Sequence, residues 1–398
     1  MAAVCFYFQI HQPFRLRKYT VFDSDTHYFD DSTNAQLVRK IAERCYVPMN
    51  RILLDLVRAH GGRFKAAISV TGTAMEQFEA YAPEVVQGLH ALAETRCIEF
   101  LSETFHHSLA ALHSPQEFRE QVELHRRMIR RLFGQAPVVF RNTELIYSNK
   151  VASLASELGF RGVLAEGWEP ALNNRSAAFM YRAVPAATAG EEGVNRDLYL
   201  LLRNHQLSDE IAFRFADKRS SEYPMTGEKF ARHVSQIGGR LCNLFMDYET
   251  FGEHQHADTG ILDFMRTLPG KLLEHGCSFV TPGELLIGES IETAGELDVP
   301  SPISWADESR DLGAWMGNAM QANALLELYG LEEKIKGHAD GRLLADWRKL
   351  STSDHFYYMS TKDKADGSVH GYFRPYDSPY DAYINFMNVL DNLKARAS

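Results

Sequence analysis

Short apolar runs alternate with amphipathic helical stretches along most of this chain, and no other feature restricts its fold as much. The runs are Val4–Ile10, Phe64–Val70, Cys97–Leu101, Val138–Phe140, Gly162–Ala165, Leu198–Leu202, Leu241–Met246 and a shorter Ser278–Thr281. Between them, helical patterns cover about Asn34–Ala59, a stretch to about Thr95, one starting at Ser114-Pro115-Gln116-Glu117, one capped by Ser148, one by Thr226, and about Thr259–His275. The Ser114 start reads as a capping box with proline at the first helical position. Strands that are apolar on both faces belong in a parallel sheet covered by helices. Seven or eight such units in about 280 residues point to a closed or nearly closed barrel. An open doubly wound sheet is the rival, but no Gly-x-Gly-x-x-Gly follows the first run and no P-loop is present. Residues 168–197 are irregular, and beyond Pro300-Ser301-Pro302 the pattern is helix or loop without strand alternation.

Charge and cysteine usage narrow the function classes. The 398 residues carry 52 acidic and 42 basic side chains, a balance of −10. That argues against a nucleic-acid binder or a protein of anionic membrane surfaces, both of which need basic patches. No window approaches the ~18 apolar residues of a membrane span. The opening MAAVCFYFQIHQP reads as a first strand and not as a signal peptide. Five scattered cysteines without a CxxC read as reduced thiols of a cytoplasmic protein. Oligomeric state leaves no mark in the sequence.

The positions of the polar residues carry the functional signal. His11 and Gln12 follow the first run, and Thr71 the second. Glu103, His106 and His107 follow the third, Arg141 and Glu144 the fourth, and Glu166 the fifth. Asn204 and His205 follow the sixth, and Asp247 and Glu249 the seventh. In a barrel these ends meet at one mouth, where the active sites of such folds lie. Several carboxylates in one pocket suit glycoside hydrolysis, which needs a pair flanking the scissile bond. The fourth and seventh strands lie on opposite sides of a seven-stranded barrel, so Glu144 and Asp247 can face one another. Read structurally, Glu144 would be an ion pair with Arg141 and Asp247 a helix cap, and spacing alone does not choose. The histidines His106, His107, His113, His254 and His256 raise a metal-dependent polysaccharide deacetylase. Their spacings lack the ligand pairs of a zinc site, so neither a metal nor another cofactor is expected.

Five ordered segments resemble the conserved regions of glycoside hydrolase family 57. They are His11-Gln12-Pro13; Ile98 to Leu109 with its Glu103 and His106-His107; Phe140-Arg141-Asn142-Thr143-Glu144-Leu145-Ile146-Tyr147; Asp247-Tyr248-Glu249-Thr250-Phe251-Gly252-Glu253-His254; and Trp305 through Gln321. The resemblance implies a (β/α)7 barrel followed by a C-terminal helical domain, here residues 1–282 and 283–398, with the second part completing the cleft. It implies a retaining α-glucan hydrolase of the α-amylase type, with Glu144 as nucleophile and Asp247 as acid/base. 4-α-Glucanotransferase or branching activity is the alternative within the family, and a glycan-binding protein without turnover is a further one. The substrate partner is an α-glucan or maltooligosaccharide. His11, Glu103, His106, Arg141, Glu249, His254, Asp354 and His355 are the expected substrate contacts. Trp168, Trp305 and Trp315 are candidate platforms for glucose rings. The aromatic run Tyr372-Phe373-Arg374-Pro375-Tyr376 is a candidate to close the cleft.

Overall fold

The computed structural model describes residues 2–186, 197–287, 291–362 and 375–398. Seven parallel strands form the barrel: β1 (Ala3–Ile10), β2 (Ala66–Val70), β3 (Ile98–Phe100), β4 (Val139–Arg141), β5 (Gly162–Glu166), β6 (Tyr199–Arg203) and β7 (Leu241–Asp247). β7, β1, β2 and β3 pair in that order, and so do β4, β5 and β6. The first seam, between β3 and β4, is bridged at Ser102 and Phe140. There the Arg141 N–H donates to the Ser102 carbonyl at 2.8 Å. The second seam, between β6 and β7, is closed mostly by side chains. The Asn204 N–H donates to the Asn243 carbonyl at 2.9 Å, the Asn243 amide to the Leu202 carbonyl at 2.9 Å, and Arg203 Nε to the Phe245 carbonyl at 2.8 Å. The architecture is the (β/α)7 barrel, in sequence order around the ring.

The two-residue strand period divides each strand between two environments. On β1, Val4, Phe6, Phe8 and Ile10 pack outward against the helices. Cys5 and Tyr7 point inward to meet Ala67, Leu101, Val139, Leu164, Leu201 and Phe245. One step higher on the inward face stand Gln9, Ser69, Arg141, Glu166, Arg203 and Asp247. The barrel interior is thus mostly apolar in its lower layers, where Asn243 beside Cys5 and Glu99 beside Ala67 are the polar exceptions, and polar at the mouth.

Local chemistry starts the helices that separate the strands. The Ser114 hydroxyl accepts from the Glu117 N–H at 3.1 Å, a cap of about 1 kcal/mol. The other half of the expected capping box does not form, because Arg348 bonds both Glu117 oxygens, at 2.8 and 3.1 Å. Thr226 caps Gly227–Ser235 as expected. The helix after β1 begins at Asp31, capped by Asp30, and runs to Ala59 through a π-turn at Ala42–Tyr46. Such wide turns often serve a site, and this one aims Tyr46 at the mouth. Gly252 sits against the same turn at φ 116°, where a Cβ would lie 2.0 Å from the Arg44 carbonyl. Only glycine fits that close approach. The irregular stretch after Trp168 contains a short strand, Tyr181–Ala183, antiparallel to β6.

After Phe279 the chain crosses the closed end of the barrel, where the Gly283 N–H donates to Glu99 at 2.7 Å. It returns to the mouth at Ile303, which exchanges two 2.9 Å hydrogen bonds with Tyr147. Helices Ala319–Gly330, Gly341–Leu350, Ser353–Tyr357 and Pro379–Arg396 then pack around Trp315, Trp347, Phe356 and Phe386. Of the aromatic run near the C-terminus, residues 372–374 lie outside the described residues. Tyr376 is half-buried beside Tyr358. Among the described residues, no helix is long and apolar enough to cross a membrane.

Candidate active site

The site grows from two residues in the left-handed region, Glu144 at φ 57° and His107 at φ 51°. Non-glycine residues seldom adopt this conformation, which costs on the order of 1 kcal/mol or more and clusters at functional sites. Around Glu144 it is held by a tight turn. The Leu145 N–H donates to the Asn142 carbonyl and the Ile146 N–H to the Thr143 carbonyl. Thr143 is itself fixed to the Ser108 carbonyl at 2.7 Å. The turn sends the Glu144 side chain over the mouth, where both oxygens are met. His107 Nε2 lies 2.9 Å from Oε1, and the Trp305 indole N–H donates to Oε2 at 2.8 Å.

His107 is held between two carboxylates, since its Nδ1 also lies 3.4 Å from Glu103 Oε2. Burial disfavours its charged form, but the bonds to Glu103 and Glu144 outweigh that and lift its pKa to about 9. It is an imidazolium donating from both nitrogens at neutral pH. Glu103 is wholly buried, and its oxygens also accept from the Gln9 amide at 3.1 and 3.2 Å.

Asp247 and Glu144 are pushed apart in acidity. Burial tends to raise Glu144, yet the bond and charge of His107, the Arg141 charge and the Trp305 bond hold it below the ordinary carboxylate value. Asp247 has burial and the Glu144 charge both acting upward, against Arg141, His107 and Arg203, and it rises to about 6. Glu249 lies two residues on in a 3-10 turn and accepts from the Tyr46 hydroxyl. Burial, and then the Asp247 charge, raise it to about 8. At neutral pH the mouth therefore holds Glu144 as a secured carboxylate and Glu249 mostly protonated, while Asp247 is mostly ionised but keeps a larger protonated fraction than an ordinary aspartate and becomes mostly protonated below about pH 6.

The helical part supplies two groups. Trp305 reaches Glu144, and Asp354 Oδ2 lies 2.8 Å from His11 Nε2. His11 Nδ1 faces the Thr71 hydroxyl at 3.0 Å, and the ring stacks on His107 with centroids 4.0 Å apart. Burial and the His107 cation keep His11 neutral, lowering its pKa. Burial disfavours charge on Asp354, but the hydrogen bond from His11 and the nearby His107 cation prevail and hold it well below the usual range. The pair is anchored where the Ser353 N–H donates to the His107 carbonyl at 2.9 Å.

Several expected substrate contacts are placed differently. Glu103 is spent on orienting His107 and offers no surface. His106 turns away from the mouth toward Arg348 and Lys349, its pKa lowered by burial and by those cations, so the imidazole on Glu144 is that of His107. Trp305 spends its indole N–H on Glu144, and Arg141 and Arg203 approach its ring, 4.9 and 5.7 Å from the centroid. Trp315 is 2% exposed in the helical core. His355 is also core, packed on Phe386 at 5.8 Å. His254 follows the Glu249 turn and donates its N–H to the Glu249 carbonyl at 2.8 Å; burial lowers its ring to about 4. Trp168 is partly exposed just past β5. Arg141 points inward as its position required. It is fully buried, and its guanidinium makes no hydrogen bond among the described residues.

Sequence reading passed over Gln9, Ser69, Arg203, Tyr46 and Arg310. The first three are the polar residues that stand level with Asp247 and Glu166 on neighbouring strands, Gln9 beside Asp247, Ser69 beside Gln9 and Arg203 beside Glu166. Among the described residues, no three His, Cys, Asp or Glu side chains are arranged to hold a metal ion.

The family model for glycosyl hydrolase family 57 matches residues 5–300. The "Putative alpha-amylase" of Methanocaldococcus jannaschii is 37% identical over 402 residues, which cover 97% of this chain and 83% of that protein. Among solved structures, the 4-alpha-glucanotransferase of Thermococcus litoralis superposes with a TM-score of 0.67 at 13% identity, over 89% of this chain and 56% of its own. The GH57-type branching enzyme of Pyrococcus horikoshii gives 0.64 at 14% identity, over 94% of this chain and 87% of its own. At those identities the two structures share a fold with this chain.

Proposed function

The chain belongs to glycosyl hydrolase family 57, and from that premise we propose that it cleaves α-1,4-glucosidic bonds of α-glucans with retention of configuration. One observation carries the mechanism: two interacting carboxyls at the mouth have environments that separate acid from nucleophile. Asp247, protonated, donates to the glycosidic oxygen as that bond breaks. Glu144 attacks the anomeric carbon from the opposite face and forms a glycosyl ester. Asp247, now a carboxylate, takes a proton from water, and the water oxygen displaces Glu144. His107 and Trp305 hold the Glu144 oxygens in line and accommodate the carboxylate when it leaves. His11 and Asp354, bonded to one another beside His107, line the place where sugar hydroxyls would sit, with the Asp354 carboxylate as the acceptor. Trp168 is the tryptophan suited to stack on a ring. Five free cysteines fit a reducing, cytoplasmic compartment.

Incubation with maltoheptaose, with products sized and their anomers followed by NMR, tests this reading. The first reducing ends released should be α, and β products would overturn retention. Oligosaccharides longer than the substrate would assign the chain to glucan transfer, the activity named for the T. litoralis structure. Transfer and hydrolysis share the glycosyl ester and differ in whether water or a sugar hydroxyl releases it.

The same environments dictate the pH profile. Activity needs Glu144 ionised, so it should rise with pH through a limb below about 4.5, the ordinary glutamate range. It needs Asp247 protonated, so it should fall through a limb near 6. The kcat/KM profile is thus expected to be a bell on the acidic side of neutrality, its limbs belonging to the coupled pair. A plateau extending past pH 8 would rule out Asp247 as the proton donor.

A further inference from the structure

Trp305 reaches Glu144 from a loop, and the loop is tied to the barrel by a residue outside the chemistry. We propose that Arg310 is a positioning residue: by gripping the Trp305 carbonyl and the Glu166 and Asp209 carboxylates together, it holds the Trp305 indole N–H on Glu144. The proposal rests on the reading of Glu144 as nucleophile.

The loop closes on itself. The Ser304 N–H donates to the Arg310 carbonyl at 3.0 Å and the Ser304 hydroxyl to the Asp311 carbonyl at 2.7 Å. Arg310 is left-handed at φ 52°. Its Nη1 donates to the Trp305 carbonyl and lies 3.4 Å from Glu166 Oε2. Its Nη2 lies 3.4 Å from Asp209 Oδ2. Both carboxylates are also bonded by Arg203, which joins Glu166 at 3.1 Å and Asp209 at 2.5 Å. Glu166 tops β5, and Asp209 lies on the helix His205–Ala212 that follows β6. The far edge of the loop is held by Lys362, which bonds Asp307, Ser309 and Asp311. Arg310 is therefore the link from this loop to the β5–β6 side of the mouth, next to the residue that carries the indole. A planar guanidinium meets three acceptors at once, and an ammonium has no such fork.

The test reads Glu144 through the indole. Trp305 emission, isolated as the difference from Trp305→Phe, should titrate with the Glu144 carboxyl. In Arg310→Gln the loosened indole no longer favours the carboxylate. The midpoint is expected to move up by about one pH unit and kcat on maltoheptaose to fall about tenfold, since a bond to a charged group is lost. KM should change little, and the acid limb should move with the midpoint. Arg310→Gln added to Trp305→Phe should cost nothing further, because both remove one interaction. An unmoved midpoint, or additive losses, overturns the proposal. Arg310→Lys, which keeps a cation between the carboxylates, carries the same expectation at smaller size and decides the matter if the glutamine variant does not fold. In Glu144→Gln the indole's pH response should vanish whatever the role of Glu144. Turnover surviving in that variant would sink the nucleophile assignment and leave the tie untouched.

Discussion

Replacing Glu144 by glutamine is expected to reduce turnover of maltooligosaccharides by about four orders of magnitude or more, the size of loss seen when a nucleophile is removed. Fold and melting temperature should change little, because the amide keeps the shape and still accepts from Trp305. Two neighbours should report the lost charge. His107 loses one of the two carboxylates that lift it to about 9, and Asp247 loses the anion that helps raise it to about 6. Both should titrate lower by NMR. With Glu144→Ala, azide can enter the vacated face, and α-glucosyl fluoride should give β-glucosyl azide. Retention of a tenth of wild-type activity by Glu144→Gln would remove it from the mechanism.

Asp247→Asn should slow maltooligosaccharide cleavage by about a thousandfold, within the range for a missing general acid/base. The loss should depend on the leaving group. Fluoride departs without a proton, so the first step on α-glucosyl fluoride should be nearly normal and the alkaline limb near pH 6 should disappear. The ester then accumulates for want of a base. Azide, which needs none, should release it as α-glucosyl azide. Opposite azide anomers from the Glu144 and Asp247 variants would separate the two roles. Equal losses on fluoride and on maltooligosaccharide would mean that Asp247 does not protonate the leaving oxygen.

Much of the barrel was legible because strands and helices are governed by local periods. Every barrel strand begins or ends within two residues of an apolar run, and of the residues just past those runs His11, His107, Glu144, Asp247 and Glu249 meet at the mouth while His106 does not. Glu144 and Asp247 stood out because carboxylates at strand ends occurred inside ordered motifs. Residues whose role depends on side-chain direction were less legible. His106 and His107 are adjacent and identical in type, yet only His107 bends into the left-handed region and meets Glu144. Trp305 and Trp315 are both plausible platforms in a sequence. One is a donor flanked by two arginines, and the other fills the helical core. Arg310 lies inside the fifth segment without standing out there, and the role proposed for it comes from three acceptors contributed by separate parts of the chain.

What the sequence by itself determined is the ladder of βα units and the family, and it singled out the two carboxylates proposed as the catalytic pair. Each rests on patterns of a few consecutive residues, and for the βα ladder the local periods of strand and helix decide which face of each element is buried. What only the tertiary structure decided is how those groups are ionised and held. Asp354 acts on His11 across 343 positions and Trp305 on Glu144 across 161. The acidities of the mouth arise from burial and from charges brought together through space, and both come into being only when the barrel closes and the helices cover it.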